Sequence, residues 1–398
     1  MRIAERAGAG RAPNALALSA ARLRAEGVQL TDLTDTNPTR HGLADPAVWE
    51  AVAMAARGAP RYEPEPRGPL VAREALAEHF GGGPGEYWLT ASTSEAYSWL
   101  LTLLAEPGGQ VAVPRPGYPL VEPLARLAGV KAVGYPLHYV AGHGWIYDLA
   151  GFEAAATGAA AAVLVNPGNP TGSYLSAGTA AQVAAVAKKR DSALIVDQVF
   201  YSHSLESGGE GGAVGEAGNP IEVWDSPAAP LRFRLDGLTK LVCGPGLKLA
   251  WIRLAGPKPQ VRDVAAALDN IADTFLPVSS AIALALPQIL ERAHGVVAAV
   301  RARLRQNLAA LRSGLGDERV RIIEGGWVAI VDLDPPGGGQ DLAQWLLERE
   351  HLAVHPGWFY DLADASAIVV SLLPSPDEFA ANVARLAAAA GRLAVCET

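Results

Sequence analysis

Two short apolar runs with a helical segment between them constrain the fold of this chain most strongly. Ala161 to Val165 and Leu194 to Asp197 are rich in β-branched or small apolar residues and are bounded by turn residues, as expected of strands covered on both faces. Ser176 to Arg190 is Ala-rich and starts with a serine suited to be an N-cap, so it predicts a crossover helix. Together they predict a βαβ unit, and ligands of such sheets collect at the carboxyl ends of the strands.

Polar residues stand at these predicted strand ends. The first run leads into Asn166-Pro-Gly-Asn169-Pro-Thr-Gly172, the second ends in Asp197, and Lys240 follows later in Leu-Asp-Gly-Leu-Thr-Lys-Leu-Val-Cys-Gly-Pro-Gly-Leu-Lys248. A buried amine can form a Schiff base that activates a bound aldehyde without a metal. A second cation, here Lys248, can neutralise a phosphate. A single lysine would more often be a solvated surface residue, so the prediction of an aldehyde-cofactor site depends on the combination.

The Asn-Pro-Xaa-Asn-Pro-Thr-Gly motif, the strand-terminal Asp197 and Lys240 resemble, in order and spacing, the motifs of fold-type-I, pyridoxal-phosphate-dependent enzymes of the class I/II aminotransferase family. The resemblance runs from about Asp32 to Leu373, and the Gly-Gly-Trp at Gly325 further resembles a bacterial subgroup of aminotransferases. It implies an α/β fold of PLP-dependent transferase type: a large domain with a mostly parallel central sheet and helices on both faces, plus a smaller α+β domain.

The pattern along the chain agrees with two domains, which a length of 398 residues also favours. Strands and helices alternate from Glu86 to Gly256, and one long helix is expected through Val261 to Ile289. In the family the small domain includes the N-terminal segment. We therefore expect residues 46–275 to form the large cofactor-binding domain, and residues 1–45 and 276–398 to form the small one.

Further expectations concern segments of these domains. The Gly-rich segment from Glu206 to Pro220 is expected to be a loop, and three apolar runs that begin at Val320, Val328 and Ile368 are expected to be strands of the small domain.

The resemblance implies roles for the residues around the cofactor ring. Lys240 would carry pyridoxal 5'-phosphate as a Schiff base, and Asp197 would pair with the pyridinium nitrogen and keep the ring protonated. Asn169 would bind the phenolic oxygen of the ring, although Asn-Pro also favours turns for its own sake. Tyr118 would stack on the ring; its alternative is a core or turn aromatic.

The phosphate of the cofactor requires N–H or O–H donors and positive charge. Ser92, Thr93 and Ser94 open the amphipathic stretch from Glu95 to Leu104, and a helix N-terminus binds anions readily. These three residues and Lys248 match the phosphate site of the family, although a Ser/Thr N-cap without a ligand is the better explanation of the segment taken alone. Tyr62 matches a tyrosine that reaches the phosphate of the neighbouring subunit, which implies a homodimer with shared active sites.

The chain departs from the family pattern at four positions. Lys248 stands where arginine is more frequent, Gly237 where many relatives have a phosphate-binding serine, and Phe200 where many have a tyrosine that donates to the phenolic oxygen. Val369 occupies the place of the arginine that binds the substrate carboxylate, and an apolar side chain cannot pair with that group.

Other residues could bind the substrate instead. Arg40 is the expected substitute for the missing arginine, beside Asn37 in the substrate loop of the family; a surface arginine is the alternative. The isolated histidines His41, His203 and His355 are possible neighbours of the site, and their spacing indicates no metal site.

These observations predict an aminotransferase of amino acid metabolism that transfers an amino group from an amino acid to a 2-keto acid by a ping-pong mechanism. One alternative is a lyase, decarboxylase or cyclase that uses the same cofactor. The other is a catalytically idle sensor domain, which the presence of Lys240, Asp197 and Asn169 disfavours.

Composition supports a cytoplasmic protein without nucleic-acid or membrane partners. The net charge is −8, which does not suit nucleic acid. The first residues lack the apolar core of a signal peptide, and the apolar window Val278 to Leu290 is too short and interrupted for a membrane span. Cys243 and Cys396 are too few for a disulfide framework, which fits a reducing compartment.

Overall fold

A computed structural model describes residues 3–8, 12–59, 63–205, 229–276, 278–334 and 341–395. The strands of these ranges are, in chain order, β1 (Thr31–Asp32), β2 (Tyr87–Thr90), β3 (Gln110–Arg115), β4 (Lys131–Val140), β5 (Gly144–Tyr147), β6 (Ala161–Val165), β7 (Ala193–Asp197), β8 (Arg232–Gly237), β9 (Ala250–Ala255), β10 (Val328–Asp332), β11 (Leu352–Ala353), β12 (His355–Pro356) and β13 (Ala367–Ser371).

The α-helices of the same ranges are α1 (Ala15–Ala25), α2 (Pro46–Ala55), α3 (Leu70–Phe80), α4 (Thr93–Leu104), α5 (Val121–Ala128), α6 (Leu149–Ala156), α7 (Ala177–Lys189), α8 (Leu238–Leu241), α9 (Lys258–Phe275), α10 (Ser280–Leu315), α11 (Leu342–Glu350) and α12 (Pro376–Val395). No helix in the described part of the chain is both long and apolar enough to cross a membrane.

Eight of these strands form the central sheet, in the order β2-β9-β8-β7-β6-β3-β4-β5. Strands β8, β7, β6, β3 and β4 pair in parallel, whereas β9 is antiparallel to both of its neighbours and β5 is antiparallel to β4. The predicted α/β fold with a mostly parallel central sheet is therefore confirmed.

Helices cover both faces of this sheet, as the alternation of side chains along β6 shows. Val163 packs in an apolar cluster with residues of α4 and α9, and its neighbour Leu164 packs in another with residues of α6 and α7. Successive residues of a strand point to opposite faces, so the two clusters lie on opposite sides of the sheet. The continuous apolar sequence of β6 follows from burial on both faces.

The predicted βαβ unit is present. Helix α7 begins after Ser176, whose side chain accepts a hydrogen bond from the N–H of Thr179 over 3.0 Å. This satisfies one of the N–H groups that a helix start leaves without a partner. Strands β6 and β7 pair in parallel, and Val165 lies opposite Asp197. The unit therefore brings the Asn-Pro loop and Asp197 to the same edge of the sheet.

The single long helix expected through Val261 to Ile289 is wrong. Helix α9 ends at Phe275, where Leu276 takes a left-handed conformation with φ 45°, and α10 begins at Ser280. A β-carbon disfavours that conformation, and apolar periodicity carries no signal for it. The apolar window after the break lies largely in the first turns of α10, where Ala283, Ala285, Leu286, Ile289 and Leu290 are buried, as the prediction of a core helix requires.

The region after α10 contains a second sheet, with β13 between β10 and β12 and all pairings antiparallel. The runs at Val328 and Ile368 are confirmed as strands, whereas Val320 forms only an isolated bridge with Val331. Strand β1 from the N-terminal segment pairs in parallel with β11. The division at residues 45/46 and 275/276 remains a prediction, and the segment from Glu206 to Pro220 lies outside the described residues.

Candidate active site

A cavity of about 420 Å³ opens at the carboxyl ends of β6, β7 and β8. This is the edge at which α/β sheets bind their ligands. The predicted site residues that line the cavity are Ser92, Thr93, Ser94, Tyr118, Asn169, Asp197, Lys240 and Lys248, and the other residues singled out from the sequence that line it are Phe200, Gly237 and His355.

Asp197 is held at the end of β7 by two hydrogen bonds. The hydroxyl of Tyr97 donates to Oδ2 over 3.0 Å, and the N–H of Val199 donates to Oδ1 over 3.2 Å. Burial raises the pKa of Asp197, and these bonds and the charge of Lys240 oppose that rise. The carboxyl group is therefore fixed in position yet has no cation in hydrogen-bond contact within the described residues.

Tyr97 is a site residue that the sequence analysis missed. It lies in α4, three residues after Ser94, and residues three apart share a helix face. The spacing from Ser94 was thus a signal that Tyr97 faces the same cavity. The hydroxyl identifies its role only once Asp197, 100 positions away, is placed beside it.

Lys240 enters the cavity from α8, directly after β8. Its Nζ lies 4.4 Å from the ring centroid of Trp327 and 5.1 Å from that of Phe200. Burial lowers the pKa of Lys240 to about 8, while the nearby Cys243 and Asp197 act to raise it. A cavity lysine whose pKa is lowered towards neutral pH can act as a nucleophile or as a general base.

The main chain of Lys240 is also fixed. Nε2 of the buried His203 lies 3.2 Å from the carbonyl oxygen of Lys240, and the His203 ring meets Trp327 edge to face. Burial lowers the pKa of His203 to about 3, so this imidazole is neutral. It therefore acts as a packing and hydrogen-bonding neighbour of Lys240 and does not line the cavity described above.

The Gly-Gly-Trp segment reaches the cavity because it docks against the Asn-Pro loop. The N–H groups of Glu324 and Gly325 both donate to the carbonyl oxygen of Gly172. A β-carbon on Gly172, whose φ is 66°, would lie 2.5 Å from Ile323 and 2.7 Å from the Gly325 carbonyl oxygen. The glycine at position 172 is therefore required for this close approach, which places Trp327 beside Lys240.

The Asn-Pro loop directs Asn169 to the cavity. Asn166 at its start accepts a hydrogen bond from the N–H of Leu175 over 2.9 Å, which closes the loop upon itself. Asn169 lines the cavity, and its Oδ1 is buried without a hydrogen-bond partner among the described residues. Buried polar atoms nearly always have a partner, so this amide group indicates a ligand-binding position.

The start of α4 is capped by two side chains. Ser92 accepts a hydrogen bond from the N–H of Glu95 over 3.1 Å, and the Glu95 carboxylate accepts one from the N–H of Ala91 over 2.6 Å. Ser92 is therefore the N-cap of α4, as the alternative interpretation predicted. This does not exclude anion binding, because the N–H groups of Thr93 and Ser94 have no acceptor within the helix.

Lys248 is brought to the same corner by the register of the sheet. Ala250 in β9 pairs with Thr90 on one side and with Gly237 on the other. The Lys248 loop, the Ser92 loop and the start of α8 therefore meet at one edge. A cation and free N–H groups at a helix start form an anion site.

Gly237 is explained by packing against β9. A β-carbon at this position would lie 2.9 Å from the Ala250 β-carbon and 3.2 Å from the Leu249 carbonyl oxygen. The backbone at Gly237 is extended, with φ −175°, so space rather than conformation selects glycine. A serine cannot be accommodated here unless β9 moves.

The opposite wall of the cavity is aromatic and carries little charge. Tyr118 lies 6.4 Å from Tyr360 between ring centroids, and Phe359 and His355 also line this wall. Val369 is fully buried behind it, in an apolar cluster with Tyr360 and Ile330. The position at which relatives are expected to have an arginine is therefore filled by apolar packing.

Arg40 and Asn37 lie in an adjoining cavity that shares Thr36, Lys240 and His355 with the first one. Arg40 is 70% exposed in its side chain and forms an ion pair with Asp35 at 3.2 Å, and Asn37 Oδ1 accepts hydrogen bonds from Thr39. Their role in substrate binding remains a prediction. Tyr62, the predicted contact to the neighbouring subunit, lies outside the described residues.

The model of the family described as "Aminotransferase class I and II" matches residues 33–377. A similar curated protein is an alanine aminotransferase of Mycobacterium tuberculosis, 28% identical over 282 residues that cover 67% of this chain and 62% of that protein. The match thus spans less than two thirds of the relative's length. Nicotianamine aminotransferase 1 of Oryza sativa is 28% identical over 64% of this chain and 53% of its own length.

Solved structures show the same fold. An alanine aminotransferase from Pyrococcus furiosus superposes with a TM-score of 0.85 at 18% identity, over 98% of this chain and 100% of that one. An aspartate aminotransferase from Thermus thermophilus superposes with a TM-score of 0.82 at 24% identity over the same shares of the two chains, 98% and 100%. The predicted fold-type-I architecture is therefore confirmed.

Proposed function

Because this chain belongs to the class I and II aminotransferase family, we propose that it is a pyridoxal-phosphate-dependent aminotransferase. It would transfer an amino group from an amino acid to a 2-keto acid by a ping-pong mechanism, as a cytoplasmic homodimer. The observation that carries this proposal is that Lys240, Asp197 and Asn169 line one cavity together with the start of α4.

The residues present suit pyridoxal phosphate. A pyridinium nitrogen requires a buried carboxylate, which Asp197 supplies, and an aldehyde requires a buried amine, which Lys240 supplies. The phosphate would bind at the N–H groups of Thr93 and Ser94 beside Lys248. The amide oxygen of Asn169 has no hydrogen-bond partner among the described residues, so this side chain has capacity left for a ligand.

The cofactor, when bound, supplies an electron sink for the pair left at the substrate Cα. The negative charge of Asp197 would support this chemistry by pairing with the ring nitrogen, and Tyr97 and Val199 orient the carboxylate through their hydrogen bonds. Both partners are rigidly placed, since Tyr97 is buried in α4 and Val199 donates through its main chain.

Lys240 would act twice. Its amine would hold the cofactor, and as a free amine it would take up the proton of the substrate Cα and return it to the neighbouring carbon of the cofactor. A general base works best when its pKa is near the working pH, and burial lowers the pKa of Lys240 to about 8. Trp327 and Phe200 border the amine of Lys240 and would restrict where it can move.

The first experiment follows the visible absorbance of the bound cofactor while single amino acids are added. An aminotransferase changes this absorbance with an amino acid alone, and a 2-keto acid reverses the change. Release of CO₂ or of an unsaturated product without any need for a keto acid would instead indicate a decarboxylase or lyase. No response to any amino acid in the panel would favour an idle sensor.

Lys240→Ala is the matched variant for this experiment. Loss of the general base should lower turnover by at least about a hundred-fold, and the fold should survive as judged by circular dichroism. Lys131→Ala, on the exposed start of β4, is the control and should keep full activity. Substantial turnover by Lys240→Ala would contradict the site assignment.

A further inference from the structure

The substrate end of the cavity has to bind oxygen atoms without an arginine. Among the described lining residues the lysines and arginines are Lys240, at the reacting centre, and Lys248, in the loop before β9 and beside the start of α4. Arginines near the second sheet have other partners: Arg321 pairs with Asp332 and Asp364, and Arg303 donates to main-chain carbonyls. A carboxylate at this end therefore needs a different donor.

His355 is placed to be that donor. The register of the second sheet sets His355 in β12 directly opposite Val369 in β13, and residues directly opposite each other point to the same face of a sheet. Val369 is fully buried and does not line either cavity, whereas His355 lines both, together with Thr36 and Lys240. His355 thus presents a polar group where the neighbouring position cannot.

The imidazole of His355 is held on two sides. Its Nδ1 lies 2.8 Å from the hydroxyl of Tyr360, and Phe359 stacks on the ring with centroids 5.2 Å apart. Tyr360 is 2% exposed and packs with Val369, so its hydroxyl is firmly positioned. When this hydroxyl donates to Nδ1, the neutral ring carries its hydrogen on Nε2. No hydrogen bond to Nε2 forms within the described residues.

We propose that Nε2 of His355 binds the carboxylate of the amino acid and keto acid substrates, and that Tyr360 orients the ring for this contact. The proposal deepens the proposed function and rests on it. The wall formed by Phe359 and Tyr360 suits an apolar or aromatic side chain. Since no further fixed cation lines this wall in the described residues, the preferred substrates carry one carboxylate, and dicarboxylic amino acids bind poorly.

Other charged groups surround His355 from neighbouring elements. Asp32 in β1 acts to raise its pKa, and burial, the larger effect, lowers it. Asp35, Arg40 and Lys240 border the same adjoining cavity. The proposal requires only the N–H of the neutral ring, so it predicts carboxylate binding at and above neutral pH.

The test uses equilibrium binding, so that it does not depend on turnover. The probes are 3-phenylpropionate, the uncharged 3-phenylpropanol, and succinate, each titrated by calorimetry at pH 7.5 into the holoenzyme. We expect 3-phenylpropionate to bind more tightly than succinate. In His355→Leu the Kd of 3-phenylpropionate should rise by about ten-fold or more, as for a lost hydrogen bond to a charged group. The Kd of 3-phenylpropanol should stay unchanged.

Three further variants complete the test. His355→Gln retains an N–H donor and should keep the Kd of 3-phenylpropionate within about three-fold of wild type, since the hydrogen bond is preserved. Tyr360→Phe should raise the same Kd, because the ring loses its orienting hydroxyl. His294→Leu, at an exposed position of α10, is the control and should change nothing.

Some outcomes would overturn the proposal. These are an unchanged Kd in His355→Leu, an equal loss for 3-phenylpropanol, tighter binding of succinate, or a loss confined to Arg40→Ala. Should His355→Leu not fold, the contrast between His355→Gln and Tyr360→Phe decides in the same way. Failure of the proposed function is a separate result, because it appears as the absence of any cofactor response to amino acids.

Discussion

The Nζ atom of Lys240 lies 4.4 Å from the ring centroid of Trp327, so the amine rests on an aromatic face. An aromatic face stabilises an ammonium by roughly 0.5–2 kcal/mol, depending on desolvation. Burial acts in the opposite direction and lowers the pKa of Lys240 to about 8. Burial therefore outweighs the stabilisation of the charged amine by Trp327, Cys243 and Asp197.

Trp327→Leu should lower the pKa of Lys240 further, because the variant loses an aromatic face that stabilises the charged form. In the cofactor-free protein, modification of Lys240 by an amine-specific reagent, followed by mass spectrometry across pH, should show a lower midpoint than in wild type, where burial lowers the pKa of Lys240 to about 8. The rate at Lys131 serves as the internal reference. An unchanged or higher midpoint would show that Trp327 only fills space.

Asp197→Asn should separate activity from stability. Burial raises the pKa of Asp197 in the folded state above its unfolded value. The folded chain therefore loses stability as pH rises through the interval between the two values, and at neutral pH the charge is a net cost. The cofactor-free variant should melt at the same temperature as wild type or higher at pH 7, and its turnover should fall steeply.

Tyr97→Phe is the companion to that measurement. It removes the hydrogen bond to Oδ2 but keeps the carboxylate, so its turnover should lie between those of wild type and Asp197→Asn. A clear loss of stability in cofactor-free Asp197→Asn at pH 7 would contradict the argument that the buried charge is costly.

Gly237→Ser should not improve cofactor binding, although it supplies the hydroxyl that many relatives are expected to have. The new side chain would press on Ala250, whose β-carbon lies 2.9 Å from the added β-carbon, and overpacking costs about 1–3 kcal/mol. Thermal melting and cofactor titration would measure both effects. The double variant Gly237→Ser/Ala250→Gly removes the contact and should recover part of the lost stability; tighter cofactor binding by the single variant would contradict this reasoning.

Val369→Arg should destabilise the protein without creating a carboxylate site. The side chain is fully buried with Tyr360 and Ile330, and an unpaired buried charge costs roughly 3 kcal/mol or more. Chemical denaturation would show the loss, with Val369→Leu as the apolar control. Improved kcat/KM for common amino acids in Val369→Arg would mean that the cluster can open. Arg40→Ala, by contrast, removes an exposed ion pair and should leave stability nearly unchanged.

The sequence predicted those parts of the fold and site that depend on local chemistry. Strand β6, helix α7 with its Ser176 cap and the end of β7 at Asp197 all follow from apolar runs and turn residues. The meeting of Asn169, Asp197 and Lys240 follows from the rule that parallel strands end at one edge. The element predictions require only neighbouring residues, and the meeting at the sheet edge requires in addition this one rule.

The rest depends on contacts between distant residues. The Tyr97 hydroxyl and the Asp197 carboxylate are 100 positions apart, and the lack of space at Gly237 exists only because β9 runs beside β8. The helix break at Leu276 depends on a strained φ angle that cannot be predicted from an apolar residue type. Val369 is apolar by its sequence alone, whereas the register that sets His355 opposite it depends on the pairing of β12 with β13.

Helix α10 has a consequence for how the protein unfolds. Its 36 residues span about 54 Å. Its first half packs with α2 and α3 in one apolar cluster, and its second half packs with α12 in another. Both clusters contain side chains of α10, so unfolding of this helix in one cluster exposes apolar side chains of the other. We therefore expect a single cooperative calorimetric transition with no stable half-folded species. Two glycines placed at the midpoint of α10 would uncouple the unfolding of the two clusters and split the transition in two.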